Sequence, residues 1–126
     1  MYKKIRMMLK GKKALALSAV LFLLLPMVGY CGNATGTVAM IDLVQGPTGS
    51  QNLDLAFVYP STNIVSPIAC ATYNRYAINL TIPSGRAIYA TLLAAKMAGT
   101  SVKFYGNTTC DLYSNSETLS IIQLQQ

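Results

Sequence analysis

The chain contains no histidine and no tryptophan, and its 126 residues include only four acids. Without an imidazole, a Ser-His-Asp arrangement has no base. Zinc asks for three or four ligands, and a lone cysteine pair with no histidine makes a poor set, so neither metal nor cofactor is expected. Asp42, Asp54 and Asp111 lie far apart in the sequence, and Glu117 is the sole glutamate. Two of the aspartates brought together by folding would make a carboxylate pair for a small hydrolase. Solvated aspartates on outer faces are the preferred reading, because carboxylates are mostly exposed. Gly46, Gly49 and Gly85 form no phosphate loop with the Lys and spacing that it needs. The expectation is a protein that binds rather than catalyses.

Charge is also scarce once the first segment is set apart. Lys3, Lys4, Arg6, Lys10, Lys12 and Lys13 hold most of the basic residues, and Ala14 to Gly29 follows with no charge at all. A basic stretch, an apolar stretch and then small residues make a secretory signal. The apolar run falls short of the roughly 20 residues a spanning helix needs, and Pro26 interrupts it, so a retained anchor is the lesser alternative. Met7 or Met8 as the start would give a more usual basic stretch. Cleavage is expected near Ala34, after Gly32-Asn33-Ala34, with Gly29-Tyr30-Cys31 as a second site. A lipid-modified Cys31 would need a small residue before it, and Tyr30 stands there. The division is thus 1–34 signal peptide and 35–126 a single domain, exported to the periplasm or the medium, with the membrane met only through the signal. Arg75, Arg86, Lys96 and Lys103 then balance the four acids, which leaves no basic surface for nucleic acid.

So small a domain is marginal and gains from a staple. Cys70 and Cys110 are the cysteines left within it, and in an exported chain such a pair forms a disulfide. Two free buried thiols are the other possibility.

Strands are expected at Thr37–Gln45, Leu53–Tyr59, Tyr73–Leu80, Ser101–Tyr105 and Thr118–Leu124. The near-continuous apolar character of the first suggests a central strand covered on both faces. Ile64 to Pro67 reads as a short extended piece. In the third strand Tyr76, Ile78 and Leu80 should point inward and Arg75 outward. In the fourth, Val102 and Phe104 should point inward. The last changes phase between Ile121 and Ile122, which fits a bulge. Arg86 to Ala98 is a helix with Ser84 as N-cap, an inner face of Ile88, Leu92 and Ala95, and Gly99 as its stop. Lys96 near its end suits the helix dipole. The order β-β-β-α-β-β is that of a five-stranded OB-like Greek-key barrel, mainly β, with its helix between strands three and four. In that fold strands three and five run parallel, which brings Cys70 and Cys110 together. An open α+β sheet ranks second.

The tyrosines Tyr59, Tyr73, Tyr76, Tyr89, Tyr105 and Tyr113 offer stacking faces with polar tips, although packing of half-buried rings is the commoner use. Ligands of OB folds lie on the face of strands two and three, between the one-two and four-five loops. Position in that fold selects Gln51, Asn52, Asn74, Asn107, Asp111 and Tyr113 as candidate ligand-binding residues.

The stretch from Cys70 to Leu124 resembles a group of small exported bacterial proteins similar to the B subunit of subtilase cytotoxin. The likeness rests on Cys70, R-Y-A-I-N-L from Arg75, L-L-A-A-K from Leu92, V-K-F-Y-G from Val102, Cys110 and S-E-T-L from Ser116. It implies an OB-type barrel and, for toxin B subunits, a pentameric ring that binds cell-surface glycans. No glycan-contacting residue carries over, because the first half of the domain has no matching motif. The expected ligand is a glycan or a protein; a periplasmic assembly subunit packed on a partner is the rival reading.

Overall fold

The structure, a computed structural model, describes residues 30–44, 54–65 and 67–126. The signal segment through Gly29, and Gln51 and Asn52 of the candidate set, lie outside the described residues. Among the described residues, six strands and one helix follow in order: β1 (Asn33–Gly36), β2 (Val38–Val44), β3 (Leu55–Pro60), β4 (Tyr76–Asn79), α1 (Pro83–Ala98), β5 (Val102–Gly106) and β6 (Glu117–Leu124). They form one curled mixed sheet, a half-barrel, in the order β1-β5-β6-β4-β3-β2. All neighbours are antiparallel except β4 and β6, which run parallel through Tyr76↔Glu117 and Ala77↔Thr118.

The strand count is six, not five, because the chain pairs before the expected start at Thr37. Asn33 to Gly36 pairs with β5, and Val38 to Val44 pairs with β3 on the far side of the sheet. Only Thr37 separates them, so one run of chain supplies both ends of the strand order. The bend is held by Ser61 and Thr62. The Thr37 amide donates to Ser61 Oγ (3.0 Å), the Ser61 amide to the Thr37 carbonyl (2.9 Å), and Thr62 Oγ1 to the Thr35 carbonyl (3.0 Å). A bulge follows between Val38 and Met40, and Lys96 Nζ donates to the Val38 and Ala39 carbonyls there (3.3 and 2.7 Å). Lys96 thus ties the end of the helix to the bulge as well as facing the helix dipole.

The apolar run of β2 does not mark a central strand. Met40 and Leu43 are exposed, since among the described residues β2 pairs with β3 alone. The strand covered on both faces is β3. Its Ala56 and Val58 join the main core with Val38, Tyr76, Ile78, Leu92, Ala95, Val102, Phe104 and Leu119. Its Leu55 and Phe57 face a second, smaller cluster with Ala77, against which Tyr59, Leu112 and Tyr113 pack. Tyr76, Ile78, Val102 and Phe104 are buried as expected, with Tyr76 stacked on Phe104 at 6.1 Å between ring centroids, whereas Leu80 lies past the end of β4 and is half-buried against the core. Strand β4 is shorter than expected. Tyr73 to Arg75 lies outside it, where the Arg75 amide bonds the Tyr73 carbonyl in a tight turn. Of the extended piece expected from Ile64 to Pro67, Val65 forms an isolated antiparallel bridge with Asn33 through paired backbone bonds, and Ser66 lies outside the described residues. The bulge in β6 sits at Ser120, between Gly106↔Leu119 and Tyr105↔Ile121, one residue earlier than the apolar pattern suggested.

The helix starts at Pro83 and its N-cap is Ile82, without a side-chain cap. Ser84 is therefore inside the first turn. Proline with its preset φ and no amide to leave unpaired opens the helix instead. Leu92 and Ala95 are buried, Ile88 packs on the core, and Gly99 closes the helix in the left-handed conformation (φ 66°). No helix among the described residues is long and apolar enough to cross a membrane.

Candidate functional site

The Cys70–Cys110 disulfide is formed, with 6.3 Å between Cα atoms, and it joins the loop before β4 to the loop before β6. Such a bond suits an oxidising compartment. The two tied loops, together with β3, build a cluster around Arg75. Its Nε donates to Ser116 Oγ (2.8 Å), Nη1 to the Tyr59 hydroxyl (2.9 Å) and Nη2 to Asn115 Oδ1 (3.0 Å). The guanidinium carbon lies 4.0 Å from the ring centre of Phe57, 4.8 Å from Tyr73, 5.5 Å from Tyr113 and 5.9 Å from Tyr59. Cations in such positions are attracted by the ring faces. Phe57 and Tyr113 meet edge to face at 5.0 Å.

These contacts follow from local structure. Phe57 and Tyr59 share one face of β3. Leu112 and Tyr113 fold over that face, which covers the second cluster. The Tyr73 amide donates to the Asn115 carbonyl (3.3 Å) and the Ser116 amide to the Tyr113 carbonyl (3.1 Å), so the rings stand on backbone that is itself fixed. Tyr73 is 55% exposed. The outcome is a surface of tyrosine rings with polar tips around one cation. A guanidinium has five N–H donors, and three are engaged by side chains among the described residues. Such a surface can stack against a flat or weakly polar ligand and donate hydrogen bonds to it.

Among the sequence candidates, Tyr113 belongs to this cluster. Asn74 is next to it in sequence but is used internally: its Oδ1 accepts from the Ile64 amide (2.7 Å) and its Nδ2 donates to the Thr62 carbonyl (3.1 Å). Asn107 and Asp111 come together elsewhere, in a cleft of about 350 Å³ between the start of α1 and β6. Asn107 Oδ1 accepts from the amide and hydroxyl of Thr109 (3.0 and 2.8 Å), and Asp111 accepts from the hydroxyls of Thr109 and Thr118. The Thr109 bond first, then that of Thr118, holds the Asp111 carboxyl below its usual pKa. A second cavity, about 530 Å³, is lined by Leu43, Leu55, Leu80, Asp54, Arg86 and Tyr89. No three His, Cys, Asp or Glu side chains gather for a metal ion among the described residues.

The sequence pointed to Tyr59, Tyr73 and Tyr113 as rings but missed Arg75 as their centre, with Asn115 and Ser116 as its acceptors. The available signal was a lone arginine between two tyrosines, in Y-N-R-Y. No known protein family, characterised protein or solved structure matches the chain.

Proposed function

We propose that this protein is an exported, non-enzymatic binding module that takes glycans on the face built around Arg75. The observation that carries this reading is the fixed set of Tyr59, Tyr73 and Tyr113 around one guanidinium. Sugars present apolar C–H faces and rings of hydroxyls, and tyrosines with hydrogen-bonding tips match both. Little side-chain freedom is lost on binding, because the disulfide and the Arg75 bonds have already ordered the cluster.

The half-barrel is read as an OB-like Greek-key barrel in which β1 and β2 are two halves of one bent first strand. The parallel β4–β6 pair and the helix between β4 and β5 support that reading. The likeness of the Cys70 to Leu124 stretch to toxin B subunits adds a ring of five copies. Exposed Leu93 and Met97 on the helix, and Ile121 and Leu124 on β6, are apolar side chains such a ring would cover.

The test is binding of the exported protein to a panel of neutral and acidic glycans, with native mass measured on the same sample. Tyr73→Ala should weaken binding about three- to tenfold, the weight of one aromatic contact, without lowering the thermal midpoint. Binding unchanged in Tyr73→Ala moves the site off this face. A monomer that binds no glycan but holds a second protein on purification favours the assembly-subunit reading.

A further inference from the structure

Glu117 opens β6 with its side chain turned into the protein, and the residue has no exposed surface. The Gly32 amide donates to both of its carboxyl oxygens (3.2 and 3.1 Å), and the Thr108 amide donates to one (2.9 Å). Gly32 and Gly106 flank the group so tightly that a Cβ at either would overlap the carboxyl. Among the described residues every donor to it is a backbone amide, and none is a cationic side chain. Burial raises the Glu117 pKa against the pull of those two amides. Removing one member of a buried ion pair is strongly destabilising, and a lone buried carboxylate is in that position. The buried Tyr76 hydroxyl has no hydrogen-bond partner among the described residues, and burial first, then the nearby Glu117 and Cys31, raise its pKa. The pocket thus holds an acid and an unpaired hydroxyl, with the Gly32 and Thr108 peptide nitrogens aimed at the acid.

A counter-charge is available at that nitrogen. Gly29-Tyr30-Cys31 has small residues at the third and first positions before a cut, and that cut falls between Cys31 and Gly32. We propose that the export signal is removed at the Cys31–Gly32 bond and that the α-ammonium created at Gly32 seats on Glu117. In the step, water adds across the peptide bond under a signal peptidase. The water oxygen stays on Cys31 as part of the new carboxylate, and both water protons end on the Gly32 nitrogen. One shared N–H becomes three donors bearing a full charge. Gly32 suits the seat because it has no side chain to displace the carboxyl. Cutting at Ala34 instead would remove the donor altogether. This inference rests on the export part of the proposed function and not on its ligand.

The test starts from the full chain in an exporting bacterial host, with the intact mass of the product. A chain beginning at Gly32 is expected. An exported chain beginning at Cys31, Thr35 or any other residue overturns the proposal and leaves export standing. A chain that keeps residues 1–31 overturns both. On the Gly32 product, reductive methylation at neutral pH reads the amine. Pairing that raises the amine pKa by one unit cuts the free amine about tenfold, so labelling in the folded state should be at least that much slower than in urea. Glu117→Gln should restore fast labelling; the comparison in urea serves if that variant does not fold. Equal labelling of folded and unfolded protein overturns the seat.

Discussion

Arg75 spends three of its N–H groups on acceptors that are themselves fixed, so its shape matters as much as its charge. Lysine cannot bond Ser116, Tyr59 and Asn115 at once, nor lie flat on Phe57. Arg75→Lys should cost about 1–3 kcal/mol in urea unfolding and weaken glycan binding more than a surface Arg86→Lys does. Glu117 and Asp111 make a second case at this scale, with opposite signs. In a chain whose Cys31–Gly32 bond is intact, Glu117 has a raised pKa through burial, so the folded state holds the proton more tightly than the unfolded one. Its contribution is greatest below the unfolded pKa and declines as pH rises through the folded value. Asp111 has a lowered pKa, so its contribution is present above the unfolded value and is lost as pH falls through the folded one. Urea midpoints of the uncut chain between about pH 3 and 7 should therefore shift upward at the neutral end in Glu117→Gln, relative to wild type, while Asp111→Asn flattens the acid end. Tyr76 faces the same pocket, but its raised pKa keeps it neutral across this window. In the chain cut at Gly32, the ammonium lowers the Glu117 pKa, and Glu117→Gln should then reduce neutral stability.

At the scale of elements, much was legible because period and caps are local. The inner faces of β4, β5 and α1, and the stop at Gly99, follow from alternation, from Ile88, Leu92 and Ala95, and from one glycine. What escaped depended on distant partners. The apolar run of β2 looks central, yet its position in the sheet is set by a bend that Ser61 and Thr62 hold from another strand's end. The second face of β3 is covered by Leu112 and Tyr113 from a polar loop, which no periodicity announces. Arg75 at the centre of the cluster was hidden for the same reason, whereas the cysteine pair was readable from the number of cysteines and the expectation of export. That pair fastens the loops that carry Tyr73 and Tyr113. Closing 40 residues contributes about 4 kcal/mol on the chain-entropy account. Cys70→Ser with Cys110→Ser should lose stability of that order in denaturant. Ligand affinity should fall as well, because Tyr113 and Asn115 would no longer be ordered before binding.

For the whole molecule, the decisive residues are those that make the two ends of the sheet one chain. A domain starting at Thr35 would keep β2 but cut β1 in half. It would lose the Asn33↔Tyr105 and Ala34↔Phe104 pairs, both bonds between Asn33 and Val65, and the bond from the Gly106 amide to the Gly32 carbonyl. Ala34, 1% exposed, would leave a gap in the main core beside Phe104. Glu117 would keep only the Thr108 amide. Domains of this size have about 5–15 kcal/mol in hand, and the sum of these losses is comparable. Two chains, one beginning at Gly32 and one at Thr35, should therefore differ in kind. The first should unfold in one cooperative thermal transition, and the second should show weak near-ultraviolet circular dichroism and no sharp transition. Equal midpoints for the two would mean that β1 is an accessory to the sheet and that β2 through β6 fold without it.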